Sequence, residues 1–223
     1  MAIKKNDFIE IEFTGKIKGT DEIFDTNIKV DAPTTNDQRP TTELKPFILS
    51  VGHKMLPNGF DADLEGKDTE KSYTLDLKPE DAFGKRDPQM VRMIPTKHFH
   101  EQKINPERGM KLALDGQLVK ILSSDRGRTL VDFNNPLAGK PVTYTYKINK
   151  IVTDQKEKIN ALQDFLFRKT FEFEIKDKTV IFKIEKQFEP FVKMFAPKFE
   201  EILDLKIESE IIKAKEKKKE KKE

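Results

Sequence analysis

The chain of 223 residues contains no cysteine. That excludes disulfide cross-links, thiol chemistry and zinc held by thiolates. It also lacks any apolar run of the roughly 18 residues that a membrane span needs, so no span is expected. The segment Met1-Ala2-Ile3-Lys4-Lys5-Asn6-Asp7 has none of the apolar core of a signal peptide, and a cytoplasmic location is expected. A charge excess of one sign is missing too, with 42 basic side chains against 39 acidic. Seven Lys and three Glu between Lys213 and Glu223 make that tail +4, which leaves the rest of the chain near −1. The basic balance gives no argument for a nucleic-acid-binding body. Histidine is scarce. His98-Phe99-His100, read as a strand, puts two imidazoles on one face. With no further His or Cys nearby, this is a surface pair rather than a metal site, and no metal or cofactor is expected. Lys and Glu are abundant, as in proteins whose surface ion-pair networks work at high temperature.

The chain does have strict alternation. Ile9, Ile11 and Phe13 alternate with Glu10 and Glu12, the period-two pattern of a half-buried strand. Phe47, Leu49 and Val51 repeat it, as do Tyr73, Leu75 and Leu77, and then Val142, Tyr144, Tyr146 and Ile148. Four such strands imply an antiparallel sheet with one wet face. Pro57 to Glu65 predicts a short helix ended by Gly66, with Phe60 and Leu64 facing the sheet together. Asp25 to Pro46, rich in Asp, Asn, Thr and Pro, predicts a long loop or bulged edge strand.

Between about Arg86 and Leu137 the pattern changes. Val91 and Met93, then Met110, Leu112 and Leu114, then Leu118 and Ile121, then Leu130 and Phe133 predict short strands. Asp115-Gly116 and Asp125-Arg126-Gly127 supply the turns. From Asp154 the chain changes again, with nine of its 17 Phe residues between Phe165 and Phe199. Ile159, Leu162, Phe165 and Leu166 predict a helix. Phe171, Phe173 and Ile175 form a hairpin with Val180, Phe182 and Ile184 through Lys176-Asp177-Lys178, and a second helix starts near Pro190. The expected class is α+β in three units. The first is an antiparallel sheet on a short helix (1–85 plus 138–153). The second is a small β-rich insertion (86–137), and the third an α+β C-terminal unit (154–223). The Phe load of the third predicts core packing and a homodimer interface. Its Lys/Glu end predicts a solvated helix extension or a disordered tail.

The order and spacing of the motifs resemble the FKBP family of peptidyl-prolyl cis/trans isomerases, in its long-type, SlyD-like branch with an insert-in-flap domain. Ile11-Glu12-Phe13-Thr14-Gly15, Phe24-Asp25, Pro46-Phe47, Val51-Gly52, Met55-Leu56, Ala82-Phe83-Gly84 and Tyr144 carry the resemblance. So does Asp132-Phe133-Asn134-Asn135-Pro136-Leu137-Ala138-Gly139. It covers residues 4 to 152 well, and the C-terminal unit looks like that of archaeal long-type members. There are departures. The family's Tyr is Phe at 13 and 83, Phe60 stands where short members have Trp, and Asn135 stands where a His is common.

The resemblance implies an apolar cup for the prolyl ring made by Phe13, Phe24, Phe47, Met55, Leu56, Phe60, Phe83 and Tyr144. Asp25 would be its polar wall, Ala82 would allow close approach of the loop, and the Leu56 N–H would donate to a substrate carbonyl. It further implies that the insertion binds unfolded or nascent chains, through Met93, Ile94, Phe99, Met110, Leu112, Ile121 and Val131. Taken alone, each of those apolar side chains also reads as core. The expected activity is acceleration of proline-limited folding together with chaperone binding. The alternative is a holdase with a vestigial pocket, to which the two missing phenols point.

Overall fold

The computed structural model describes residues 2–29 and 45–212. Most of the long loop expected before Pro46, residues 30–44, and the Lys213–Glu223 tail lie outside them. The elements are β1 (Phe8–Ile17), β2 (Ile23–Thr26), β3 (Phe47–Ser50), α1 (Asn58–Asp63), β4 (Ser72–Leu77), β5 (Val91–Pro95), α2 (Thr96–Glu101) and β6 (Lys111–Leu114). They continue with β7 (Gln117–Asp125), β8 (Arg128–Asp132), β9 (Val142–Ile151), α3 (Gln155–Phe167), β10 (Glu172–Lys176), β11 (Thr179–Ile184), α4 (Glu189–Leu203) and β12 (Lys206–Ile211). The class is α+β, as the alternation predicts.

The first sheet runs β2-β1-β9-β4, with β3 also paired to β1. All its pairings are antiparallel. β1 is long enough to hold β3 along Phe8–Ile11 and β2 along Thr14–Lys16, while β9 occupies its other edge. Ile9, Ile11 and Phe13 point to the face covered by α1, where Phe60 and Leu64 are fully buried. The opposite face is not wholly wet. Phe8 is buried there under α3, with the Lys158 ammonium 5.4 Å from its ring centroid.

The second sheet, β5-β8-β7-β6, is built wholly from residues 91 to 132. Two turns hold it in register, Asp115-Gly116 with φ 50° and 78°, and Arg126-Gly127 with φ 47° and 77°. Positive φ at both central residues is what the right-handed twist of a two-residue hairpin needs. Its core is small, formed by Phe99, Val119, Ile121 and Val131. The stem joining it to the first sheet is stapled. The Gly139 N–H donates to the Gly84 carbonyl (2.8 Å), and Asn134 both accepts from the Asp87 N–H (2.8 Å) and donates to its carbonyl (2.9 Å). Arg86 clasps Asp132 at 2.8 Å. Burial raises the Asp132 pKa, but the bonds from Asn134 and Arg86 outweigh it and hold the carboxyl below its ordinary range.

The third sheet, β10-β11-β12, combines the expected hairpin with a strand the sequence did not announce. β12 lies parallel to β11, reached through α4 as the crossover helix. Asp154 caps α3 by accepting from the Glu157 N–H at 2.8 Å. This unit packs on the first sheet, so that Ile159, Leu162, Phe167 and Phe182 join Ile9, Leu49 and Val152 in one buried cluster.

The insertion corrects one expectation. His98 and His100 lie on α2, not on a strand. Two positions apart on a helix are about 200° apart, so the imidazoles do not share a face. Phe99 between them drives the turn by burying its ring. Its neighbour Thr96 meets Thr129 in a buried hydroxyl pair (3.0 Å).

Candidate functional site

Five rings from five elements or loops meet over the helix-covered face of the first sheet. Tyr144 on β9 lies 4.7 Å from Phe60 on α1, 5.6 Å from Phe24 on β2 and 6.1 Å from Phe13 on β1, measured between centroids. Phe24 in turn meets Phe83 edge-on at 5.5 Å. Such contacts add about 0.5–1.5 kcal/mol each beyond area burial. Phe13, Met55, Phe60 and Tyr144 are buried and form a floor. Phe24, Phe47, Leu56, Ala82 and Phe83 are half-buried and form a rim, and Asp25 is exposed. Phe47 sits at the head of β3, opposite Ile11, and packs on the same core without joining the ring contacts.

One row of the sheet explains why the rings can meet. Asp25, Gly15, Tyr144 and Leu75 stand side by side on β2, β1, β9 and β4. A Cβ on Gly15 would come within 2.6 Å of Phe24 Cζ and 2.9 Å of Tyr144 Cε1. The missing side chain lets the Phe24 ring reach across β1 to Tyr144. The same row brings a carboxylate near the phenol. Burial, and then the Asp25 charge, push the Tyr144 hydroxyl well above the usual tyrosine range. It stays protonated and is a hydrogen-bond donor at any physiological pH.

Two polar residues hold this arrangement, and the sequence reading missed both. Asp61 is buried on α1. Its carboxylate accepts from the Gly52 and Lys54 N–H groups, both at 2.9 Å. Both residues have positive φ, 85° and 57°, so the carboxylate fixes an unfavourable loop just before Met55 and Leu56. Met55 is pinned from the other side, its sulfur accepting from the Ser50 N–H at 3.2 Å. Among the described residues no acceptor engages the Leu56 N–H. Asn27 does the corresponding work for β2. Its side chain accepts from the Phe13 N–H (2.7 Å) and donates to the Ile11 carbonyl (2.9 Å), so β2 stays bound to β1 beyond its last paired residue. Neither role has a sequence signature, because the partners are backbone groups, of a loop for Asp61 and of β1 for Asn27, brought close only by the fold.

A cleft of about 1000 Å³ opens beside the rim. Phe24 lines it from β2, Leu118 and Leu122 from β7, and Pro136, Leu137 and Ala138 from the return segment. Phe24 belongs to both the ring cluster and the cleft lining, so the cleft lies next to the cluster.

Of the insertion residues expected to bind clients, Phe99, Ile121 and Val131 are corrected by the structure. They are the buried core of the unit and present no surface. Ile94, Met110 and Leu112 are half-buried against them. Met93 is 59% exposed. Leu118, missed in the sequence as a surface residue, is 53% exposed. The C-terminal Phe residues are used mainly as core, which leaves Met194, Ile211 and Ile212 exposed.

Comparison with known proteins agrees with the geometry. The family profile described as "FKBP-type peptidyl-prolyl cis-trans isomerase" matches residues 1–105, and one described as "FKBP26, IF domain" matches residues 92–137. A "Short-type peptidyl-prolyl cis-trans isomerase" of Methanocaldococcus jannaschii is 28% identical over 155 residues, 70% of this chain and 98% of the relative. A "Probable FKBP-type 16 kDa peptidyl-prolyl cis-trans isomerase" of Pseudomonas fluorescens is 34% identical over 113 residues, 48% of this chain and 74% of the relative. The "FKBP-type peptidyl-prolyl cis-trans isomerase SlyD" of Vibrio cholerae is 32% identical over 108 residues, 46% and 53% respectively. The ring cluster, the motif order and these likenesses together place the chain in the family of FKBP-type peptidyl-prolyl cis-trans isomerases.

Proposed function

We propose that this isomerase accelerates proline-limited folding, with the ring cluster as its catalytic cup and the insertion (86–137) as a capture unit for unfolded or nascent chains in the cytoplasm. Peptide-bond rotation faces a barrier of roughly 18–20 kcal/mol because the planar amide is resonance-stabilised. No nucleophile is needed, only surroundings that favour the twisted amide over the flat one. The floor of Phe13, Met55, Phe60 and Tyr144 takes the prolyl ring out of water, which removes solvation that favours the polar planar form. The rim of Phe24, Phe47, Ala82 and Phe83 holds the preceding residue. The Leu56 N–H anchors one substrate carbonyl and the Tyr144 hydroxyl another, with Asp25 as the polar wall. Each tenfold in rate takes about 1.4 kcal/mol of this preference.

The observation that carries the reading is that Phe24 is shared by the ring cluster and the cleft. A chain held against the insertion lies next to the cup, so transfer is intramolecular and its effective concentration is high. We further propose a second copy of this chain as the partner of the C-terminal unit, whose exposed apolar side chains include Met194, Ile211 and Ile212. Replacing residues 87–137 by a short linker is expected to keep isomerisation of a proline tetrapeptide while sharply slowing catalysed refolding of a proline-limited protein. Equal loss in both assays, or loss in neither, would reject the division of labour. A wild-type chain that prevents aggregation but isomerises no tetrapeptide would favour the holdase.

A further inference from the structure

The insertion's wall of the cleft carries positive charge that the fold does not neutralise. On β7 the exposed Leu118 and Lys120 alternate with the buried Val119 and Ile121, and Leu122, half-buried at a bulge in the pairing with β8, lines the same cleft. Lys111 on β6 pairs directly opposite Lys120. Both are exposed and both line the cleft. Like charges facing each other across two strands destabilise a hairpin. A carboxylate does lie opposite Lys120 on its other side, Asp132 of β8, but that group is committed to Arg86 and Asn134. Lys140, on the return segment, adds a third exposed ammonium to the lining. Among the described residues none of the three lysines forms an ion pair. The remaining carboxylate of the lining is Glu22, on the opposite, β2 side with Phe24. An apolar stripe with an unsatisfied pair of ammonium groups at its centre is complementary to an extended segment that is itself apolar and acidic.

We propose that the cleft selects client segments carrying a Glu or Asp side chain close to the Xaa-Pro bond. The carboxylate is held by the Lys111–Lys120 pair, and neighbouring apolar side chains lie on Leu118 and Leu122. This deepens the reading above, because it names the clients that reach the cup. It also gives the cross-strand lysine pair a reason that folding does not supply. Charge on a cleft wall acts mostly through encounter rate and register, so the preference is salt-sensitive.

The test uses the full chain and two fluorescently labelled peptides, identical around a central Phe-Pro but bearing Glu in one and Lys in the other at the flanking positions. Anisotropy is expected to show the Glu peptide binding at least about fivefold more tightly at about 50 mM salt, with the difference collapsing near 0.5 M as the screening length shortens to about 4 Å. The double variant Lys111→Glu/Lys120→Glu changes only exposed side chains and is expected to reverse the order. Equal affinities, tighter binding of the Lys peptide, or an unchanged order in the variant would overturn the proposal. So would a single-stranded oligonucleotide that outcompetes the Glu peptide, since the pair would then be a phosphate site. Exchange spectroscopy on the same samples reads isomerisation separately. Charge-selective binding without isomerisation would sink the catalytic reading and leave this one standing.

Discussion

Among the described residues the aromatic rings gather in two main clusters, and the two differ in what surrounds them. In the C-terminal unit Phe167 touches five other rings at 5.5–5.8 Å, those of Phe171, Phe182, Phe191, Phe195 and Phe199. The charged side chains nearby, Glu174 and Lys183, neutralise each other. A cavity of about 540 Å³ lies beside this cluster, but the lining of Phe171 and Phe173 opens onto that paired surface. In the first unit the rings are fewer. Their phenol stays protonated beside a carboxylate, one backbone N–H nearby is unengaged among the described residues, and the half-buried Phe24 also lines the neighbouring cleft. Aromatic content does not mark the functional region. What distinguishes the proposed cup is an open ring edge beside a protonated phenol and a backbone N–H unengaged among the described residues.

That contrast can be broken by mutation. The largest effect is expected at the closed cluster. Phe167→Ala removes the hub of six rings and should cost about 3–5 kcal/mol of stability, read as a lowered urea midpoint. Isomerisation per folded molecule should be unchanged. A loss of activity in the fraction that stays folded would show that the C-terminal cluster shapes the cup. Gly15→Ala should do the opposite. The added methyl must displace Phe24 or Tyr144, so catalysis of a proline tetrapeptide is expected to fall about tenfold, equivalent to about 1.4 kcal/mol of transition-state preference. Its stability cost should stay in the range of overpacking, about 1–3 kcal/mol. Retained activity would mean that the Phe24–Tyr144 contact is packing alone.

The sequence disclosed the parts of the fold that obey a two-residue period and are long enough to show it. Ile9, Ile11 and Phe13 fix the face of β1, and Asp115-Gly116 and Arg126-Gly127 fix two hairpins through backbone chemistry that few other residues tolerate. It did not disclose α2, because six residues containing His-Phe-His fit a strand as well as one helical turn and a half. Nor did it disclose β12. Ile207, Ser209 and Ile211 alternate only weakly, and a parallel strand depends on a partner 27 residues earlier rather than on a turn. The candidate site was legible as a set of residue types in order. The rings were identifiable, whereas their division into buried floor and open rim depends on tertiary packing. Asp61 and Asn27 were invisible because their partners are backbone groups, of the loop before Met55 and of β1, that carry no residue-type signal. Phe99, Ile121 and Val131 look the same in the sequence as Met93, and only burial separates the unit's core from its surface.

The most direct measurement compares the wild-type chain with Asp25→Ala in isomerisation of a proline tetrapeptide, with thermal unfolding recorded in parallel. Asp25 is exposed and its removal opens no cavity, so the melting temperature should barely move. The wild type is expected to accelerate the reaction at micromolar protein, and the variant to lose about tenfold, or about 1.4 kcal/mol. A wild type no faster than solvent, or a variant equal to it, would contradict the assignment of this ring cluster as the catalytic cup.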